Sequence, residues 1–234
     1  MPPKVTTFSR YQKSETGAVR AKHPTKSPAA AELDPHPLPQ AFFERDPRIV
    51  GKELLGKLLV RRSGKKILMG RVVETEAYLG KNDPAAHSAS GRTARNAVIF
   101  GPPGYAYVYF IYGRYFCLNV SCLPDGEAGG VLFRALEPVT GIEAMAAARG
   151  FTEKPLGGKQ VRLLTNGPAR LAQAFGITRI GDNGIDLSDK TGNLWLGDDG
   201  FRPAKIRSTP RVGISKAINL KLRYVVDGNP FVSR

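Results

Sequence analysis

Tyr105-Ala106-Tyr107-Val108-Tyr109-Phe110-Ile111-Tyr112-Gly113-Arg114-Tyr115-Phe116-Cys117-Leu118-Asn119-Val120-Ser121-Cys122 decides the fold. Aromatic and β-branched residues fill both arms, and Gly113-Arg114 sits between them, so the stretch predicts a β-hairpin with a protruding tip. Gly101-Pro102-Pro103-Gly104 ahead of it is a rigid turn. Working upstream, 57–62 and 66–76 read as two more strands, with Ser63-Gly64 as a tight turn. Downstream, 131–137 gives another strand. Asp46-Pro47 opens a helix as N-cap and first helical residue, with Ile49, Val50, Leu54 and Leu55 on its apolar stripe and Gly56 as its stop. A polar loop is expected over 80–99. Helix signals return at Pro138, with Ile142, Met145 and Ala146 at helical spacing and Gly150 as stop. They recur from Asn166-Gly167-Pro168 to Gly176. The region 194–232 reads as short strands and turns. Hairpins outnumber strand–helix–strand units, which predicts one mixed α/β (α+β) domain with a mainly antiparallel sheet and flanking helices.

The chain has 234 residues, enough for one well-buried domain. Residues 1–40 contain seven of the 18 prolines and no apolar periodicity, and so read as a disordered basic arm ahead of a folded domain at 41–234. Lys and Arg number 35 against 20 Asp and Glu, a net charge of +15. The arm holds six basic and three acidic residues, which leaves 29 against 17, or +12, on the remainder. That excess belongs to the folded part and points to a polyanionic partner, nucleic acid first. No apolar run approaches the ~20 residues needed to cross a bilayer, and no secretory leader is visible. A monomer inside the cell, with the genomic DNA, is expected. Cys117 and Cys122 lie five apart on an extended segment, so they face opposite sides of a sheet and do not pair. Two cysteines and one histidine outside the arm make no zinc ligand set, and neither a metal nor a cofactor is expected.

Three features carry chemistry. Glu74, Glu76 and Tyr78 share one face of a strand by the period of two, and like-charged carboxylates there require either solvent or cations. His87 follows eleven residues after Glu76, on a loop, where functional side chains concentrate. Five tyrosines fall within 105–115; core packing is the ordinary use of such residues, but each buried hydroxyl needs a partner, and a row of rings beside basic residues also stacks nucleobases. Tyr112, at the hairpin tip, can enter a duplex as a wedge. Arg134 interrupts the apolar run Val131-Leu132-Phe133-Arg134-Ala135-Leu136-Glu137, and a buried arginine takes a carboxylate partner, here Glu74 or Glu76. These features alone fit a base-excising enzyme, a non-catalytic nucleic-acid binder or an RNA-modifying enzyme.

The blocks Glu74-Thr75-Glu76-Ala77-Tyr78-Leu79-Gly80, Ala85-Ala86-His87-Ser88, the hairpin above from Tyr107 to Val120, and Leu132-Phe133-Arg134-Ala135-Leu136-Glu137-Pro138 resemble the alkyladenine (3-methyladenine) DNA glycosylases. The likeness continues through Asn166-Gly167-Pro168, Arg211-Val212-Gly213 and Asn229-Pro230-Phe231-Val232. It implies a monofunctional enzyme that acts on damaged double-stranded DNA. Glu76 corresponds to the base that activates water, and Arg134 to the arginine that helps hold it. Tyr78, His87 and Tyr109 correspond to the slot for the flipped base, and Asn119 to the side chain that crowds the amino group of normal guanine. Tyr112 corresponds to the residue that fills the gap in the duplex. No lysine falls in these blocks, so no Schiff-base nucleophile and no strand-cleaving lyase step are expected.

Overall fold

The structure, a computed structural model, describes residues 33–233 except 112 and 154. The elements run β1 (His36–Pro37), α1 (Gln40–Phe43), α2 (Pro47–Glu53), β2 (Leu58–Ser63), β3 (Lys66–Tyr78), β4 (Ala106–Ile111), β5 (Tyr115–Ser121), β6 (Gly130–Thr140), α3 (Ile142–Ala148), α4 (Gly158–Thr165), α5 (Pro168–Ala174), α6 (Arg179–Asp182), β7 (Leu194–Asp198), β8 (Ile206–Thr209) and β9 (Arg223–Val226). All strand pairs are antiparallel, in the order β1-β7-β2-β3-β6-β5-β4, with β9 joining β3 and β8 joining β9. One sheet with helices packed on it makes a single mixed α/β domain. Among the described residues no helix is long and apolar enough to cross a membrane.

Strand β3 organises the molecule. Its first half, Lys66 to Arg71, pairs with β2 along one edge; its second half, Glu74 to Glu76, pairs with β9 on that same edge. Along the other edge it pairs with β6, with register shifts on either side of Glu74. A bulge of this kind bends a strand and re-aims its side chains. It sits where β3 exchanges one neighbour for another, and it starts the segment that carries Glu74, Glu76 and Tyr78. Thr75 and Ala77 face the opposite way: the Thr75 hydroxyl donates to the Gly51 carbonyl of α2 at 2.7 Å, and Ala77 joins the main core.

That core gathers Phe43, Val50, Leu54, Val72, Val108, Leu118, Phe133, Leu136, Met145, Leu171 and Phe175, all essentially inaccessible to water. Each such side chain contributes ~1.5–3 kcal/mol relative to exposure. Asp46 caps α2 by accepting from the Arg48 N–H, with Pro47 at the first position, as the sequence predicts. The hairpin β4–β5 pairs from Ala106–Val120 out to Ile111–Tyr115, whereas β5 touches β6 only at Asn119 to Ser121. Its outer half therefore projects beyond the sheet, with Phe110 and Tyr115 exposed.

Four expectations need adjustment. Residues 33–40, assigned to the arm on composition, pack on the domain: β1 pairs with β7, Leu38 is buried and its N–H donates to the Leu196 carbonyl. A proline-rich strand suits a sheet edge, where missing N–H groups cost nothing. Residues 1–32 lie outside the described residues. The first hairpin turns on Gly64-Lys65, not Ser63-Gly64, because Ser63 pairs with Lys66 and Gly64 adopts φ +59°. Strand β6 runs on through Pro138 to Thr140, and the helix starts only at Ile142; Pro138 pairs with Gly70 beside a register shift, where a missing donor is tolerated. Helix α4 is absent from the expected elements: Val161 and Leu164 share one face of it, but it is short and opens on Gly157-Gly158, which reads as a loop.

Candidate active site

Glu74 and Glu76 are completely buried on one face of β3, and cations hold them there. Arg134 of β6 donates through Nε to Glu74 Oε1 at 2.8 Å and pairs through Nη1 with Glu76 Oε1 at 3.2 Å. Arg223 of β9 adds a bond from Nε to Glu74 Oε1 at 2.7 Å. Ser233 supplies two more donors to Glu74, its N–H at 2.6 Å and its hydroxyl at 2.8 Å. Glu76 instead receives the Val212 N–H on Oε1 at 2.8 Å and the Tyr78 hydroxyl on Oε2 at 3.1 Å. A carboxylate offers about four acceptor positions, and among the described residues these donors take three of them on Glu76, Oε2 accepting only from Tyr78. Burial raises the Glu76 carboxyl above its usual value, and outweighs the opposing pull of Arg134, the Val212 N–H and the Tyr78 hydroxyl; repulsion from Glu74 adds to the rise.

Beside this network opens a cleft of about 550 Å³. Tyr78, His87, Tyr109, Asn119, Leu132 and Arg134 line it, and the loop 212–216 forms another wall. Glu76 itself stays behind the wall, held by three of the residues that form it, Tyr78, Arg134 and Val212. The Tyr107 and Tyr109 rings stack at 5.4 Å, as alternate residues on β4 must. His87, exposed at the cleft, packs edge-on against Tyr109 at 4.5 Å and shares a hydrogen bond with the Tyr107 hydroxyl at 3.1 Å. Partial desolvation, then repulsion from Arg95, lowers the His87 pKa, which favours the neutral ring at pH 7. Burial raises the Tyr78 and Tyr109 phenols, so both remain protonated. Asn119 donates to the Tyr107 carbonyl at 3.3 Å across the β4–β5 ladder.

The loop that presents His87 is fixed at both ends. Gly80 begins it at φ +75°, where a β-carbon would fall 1.8 Å from the Ala128 carbonyl oxygen, so only glycine fits. Asp83, fully buried, takes both terminal nitrogens of Arg211, and the Arg211 guanidinium lies 4.7 Å over the Tyr78 ring. The Asn96 side chain donates to the His87 and Gly91 carbonyls at 3.0 Å each. Among the described residues no group of three or more His, Cys, Asp or Glu side chains is gathered that could hold a metal ion.

A buried carboxylate–arginine pair thus stands behind an aromatic cleft on a basic chain, and comparison with known proteins assigns that chain to a family. The family profile of methylpurine-DNA glycosylase (MPG) matches residues 41–230. The chain belongs to this family. A relative from Koribacter versatilis (strain Ellin345) is 64% identical over 197 residues, 84% of this chain and 93% of its own length. One from Burkholderia lata is 47% identical over 197 residues, 84% of this chain and 90% of its own. One from Methanoculleus marisnigri is 48% identical over 201 residues, 84% of this chain and 98% of its own. Each bears the printed name "Putative 3-methyladenine DNA glycosylase".

Within this glycosylase domain the structure gathers Tyr78, His87, Tyr109, Asn119 and Arg134 around one cleft, with Glu76 directly behind it. Tyr112 lies outside the described residues. Cys117, opposite Tyr109 on β5, lines the cleft, while Cys122 joins the core, so the two thiols do face opposite sides of the sheet. Burial pushes the Cys117 thiol up to about 11. Sequence reasoning passed over Arg223, Ser233, Asp83 and Arg211 as contributors, and missed Lys216, an exposed lysine in the cleft wall. Arginines set among apolar neighbours, Arg223 between Leu222 and Tyr224 above all, were the available signal; the serine and the lysine carried none.

Proposed function

We propose that this glycosylase releases alkylated or deaminated purines, 3-methyladenine among them, from duplex DNA, with Glu76 activating the attacking water. The observation that carries the reading is the buried Glu76 carboxylate, held by Arg134 and raised in basicity, directly behind a slot lined by Tyr78, His87 and Tyr109. A base inside a duplex hides its glycosidic carbon, so the nucleotide is rotated out, at a cost of a few kcal/mol. Tyr112 offsets part of that cost by filling the gap. A purine alkylated at N3 or N7 is cationic, and its contact with tyrosine faces is worth ~0.5–2 kcal/mol. The same charge weakens the glycosidic bond.

Water bound at Glu76 Oε2 attacks C1′ from the face opposite the base. One of its protons passes to Glu76, the C1′–N bond breaks, and the bonding pair leaves with the purine, which departs neutral when alkylated at N3 or N7 and otherwise takes a proton from solvent. Attack from that face inverts the anomeric carbon. The negative charge of Glu76 also stabilises the sugar as it becomes oxocarbenium-like. Arg134 keeps Glu76 ionised while sharing its charge with Glu74. Asn119, on the cleft floor, crowds the 2-amino group of an undamaged guanine. Among the described residues Lys216 is the one lysine lining the cleft; it stands exposed on the loop 212–216, and the attack falls to the water held by Glu76 rather than to this amine. The reaction therefore ends at the abasic site.

The test uses methylated duplex DNA and reads free bases and abasic sites. Glu76→Gln is expected to slow release about a thousandfold, within the range for a lost general base, while lesion DNA is still bound. Borohydride added during turnover is expected to trap no covalent complex. Equal loss of binding and turnover removes Glu76 from its role, and a trapped adduct abolished by Lys216→Ala replaces water with an amine.

A further inference from the structure

Resting on that reading, we infer that Glu74 is a positioning residue for the water-activating pair, and that Ser233 locks it in place. Arg134 is shared between two carboxylates. Its Nε is committed to Glu74 Oε1 at 2.8 Å, and only Nη1 reaches Glu76, at the longer distance of 3.2 Å. Its Nη2 donates to the Ser233 hydroxyl at 3.3 Å, and that hydroxyl in turn donates a hydrogen bond to Glu74 Oε1 at 2.8 Å. The guanidinium is thus oriented from the Glu74 side, and Glu76 receives one arm of it in place of a two-pronged grip. A two-pronged arginine–carboxylate pair is stronger and more acidifying than a single contact. Glu74 keeps Arg134 close enough to stabilise the ionised Glu76, yet prevents it from absorbing the basicity that the water requires.

The position of Glu74 is over-determined. Four hydrogen bonds converge on it, from Arg134, Arg223 and, twice, Ser233. Arg223 also donates to the Ser233 carbonyl at 3.0 Å, so the tail and β9 close around the carboxylate together. Two carboxylates and two arginines make a neutral set, which allows such a cluster to be buried at all. Neither Glu74 nor Ser233 lines the cleft, so neither touches a base there. The charged and titratable groups around Glu76 are Glu74 and Tyr78 from β3, Arg134 from β6, Cys117 from β5, Arg223 facing it across the β3–β9 pair, and Arg211 ahead of Val212. Glu74 is the one other carboxyl among them.

Single-turnover release from methylated duplex, measured across pH and corrected for spontaneous loss, tests the inference. Glu74→Gln keeps the shape and removes the charge. Without that repulsion, and with Arg134 free to close on Glu76, the acid limb of the rate profile moves to lower pH. The plateau falls about tenfold or more, since small displacements of catalytic groups cost up to ~10²-fold. Binding to a duplex holding an abasic site stays within about twofold. Ser233→Ala removes one hydroxyl and leaves the backbone donor, and it is expected to shift the limb in the same direction by less. If Glu74→Gln does not fold, Ser233→Ala decides. A wild-type plateau with an unmoved limb in the folded variant overturns the inference. A fully active Glu76→Gln instead overturns the reading of the site on which it rests.

Discussion

Strand β3 carries two acid–arginine clusters a few residues apart, built for opposite ends. At its lower end Arg71 holds Asp199 through two bonds of 2.9 and 2.7 Å, and neighbouring Asp198 is held by Lys57 and Arg202. At its upper end Arg134 is divided between Glu74 and Glu76. Burial acts against ionisation at both ends. For Asp199 it is overcome by Arg71, and for Asp198 by hydrogen bonds from Arg202 and Lys57, so both acids are held below their usual value of 3.8. For Glu76 burial wins, and the acid lies above its usual 4.5. Each lower acid owns at least one cation, whereas Glu76 has a share in one. A carboxylate saturated with cations is a structural tie; one deprived of them keeps an appetite for a proton.

The sharpest way to break this contrast is to remove one acid from each end. Asp199→Ala strands a nearly inaccessible Arg71 and is expected to cost ~3 kcal/mol of stability, the usual penalty for an orphaned buried charge. Its turnover per folded molecule should stay at the wild-type level. Glu76→Gln should do the reverse, leaving thermal stability unchanged or higher because an ion kept in an unfavourable site is replaced by a neutral group, while release collapses. Urea unfolding alongside the base-release assay reads both. If both substitutions destabilise and inactivate alike, the two clusters do not differ in kind.

A smaller effect sharpens the same point through pH. A raised acid such as Glu76 loses its ionised form as pH falls through a value above 4.5, so base release declines there. The depressed Asp198 and Asp199 contribute stability that is complete above 3.8 and is lost only as pH falls further, through their folded-state values. Activity is therefore expected to fade on acidification before the fold does. Release and near-ultraviolet circular dichroism recorded over one pH series should give separated midpoints; coincident midpoints count against the assignment.

Much of this arrangement was legible in residues that lie close together along the chain. The period of two placed Glu74, Glu76 and Tyr78 on one face, and the same period sets Tyr107 and Tyr109 on one face of β4, where their rings stack. The apolar context of Arg134 announced a carboxylate partner, and it found both candidates. Pro138 misled because a proline reads as a breaker unless the ladder happens to spare its nitrogen, which is a property of the neighbouring strand. Lys216 was passed over because nothing local distinguishes a lysine in a cleft wall from one on an open surface.

The sequence by itself determined strands β2 to β5 and the start of β6, the cap of α2, the surplus of positive charge and the shared face of the two glutamates. These depend on backbone preferences and side-chain alternation that act over a few residues. Only the tertiary structure decided that Val212 binds Glu76 and Ser233 binds Glu74, across 136 and 159 positions of chain. It also decided that Arg211 lies over Tyr78, and that Arg134 is divided between two acids. The basicity of Glu76 follows from how much water is excluded and how many cations arrive. Both are sums over groups that meet only once the sheet has closed, so no local pattern can carry them.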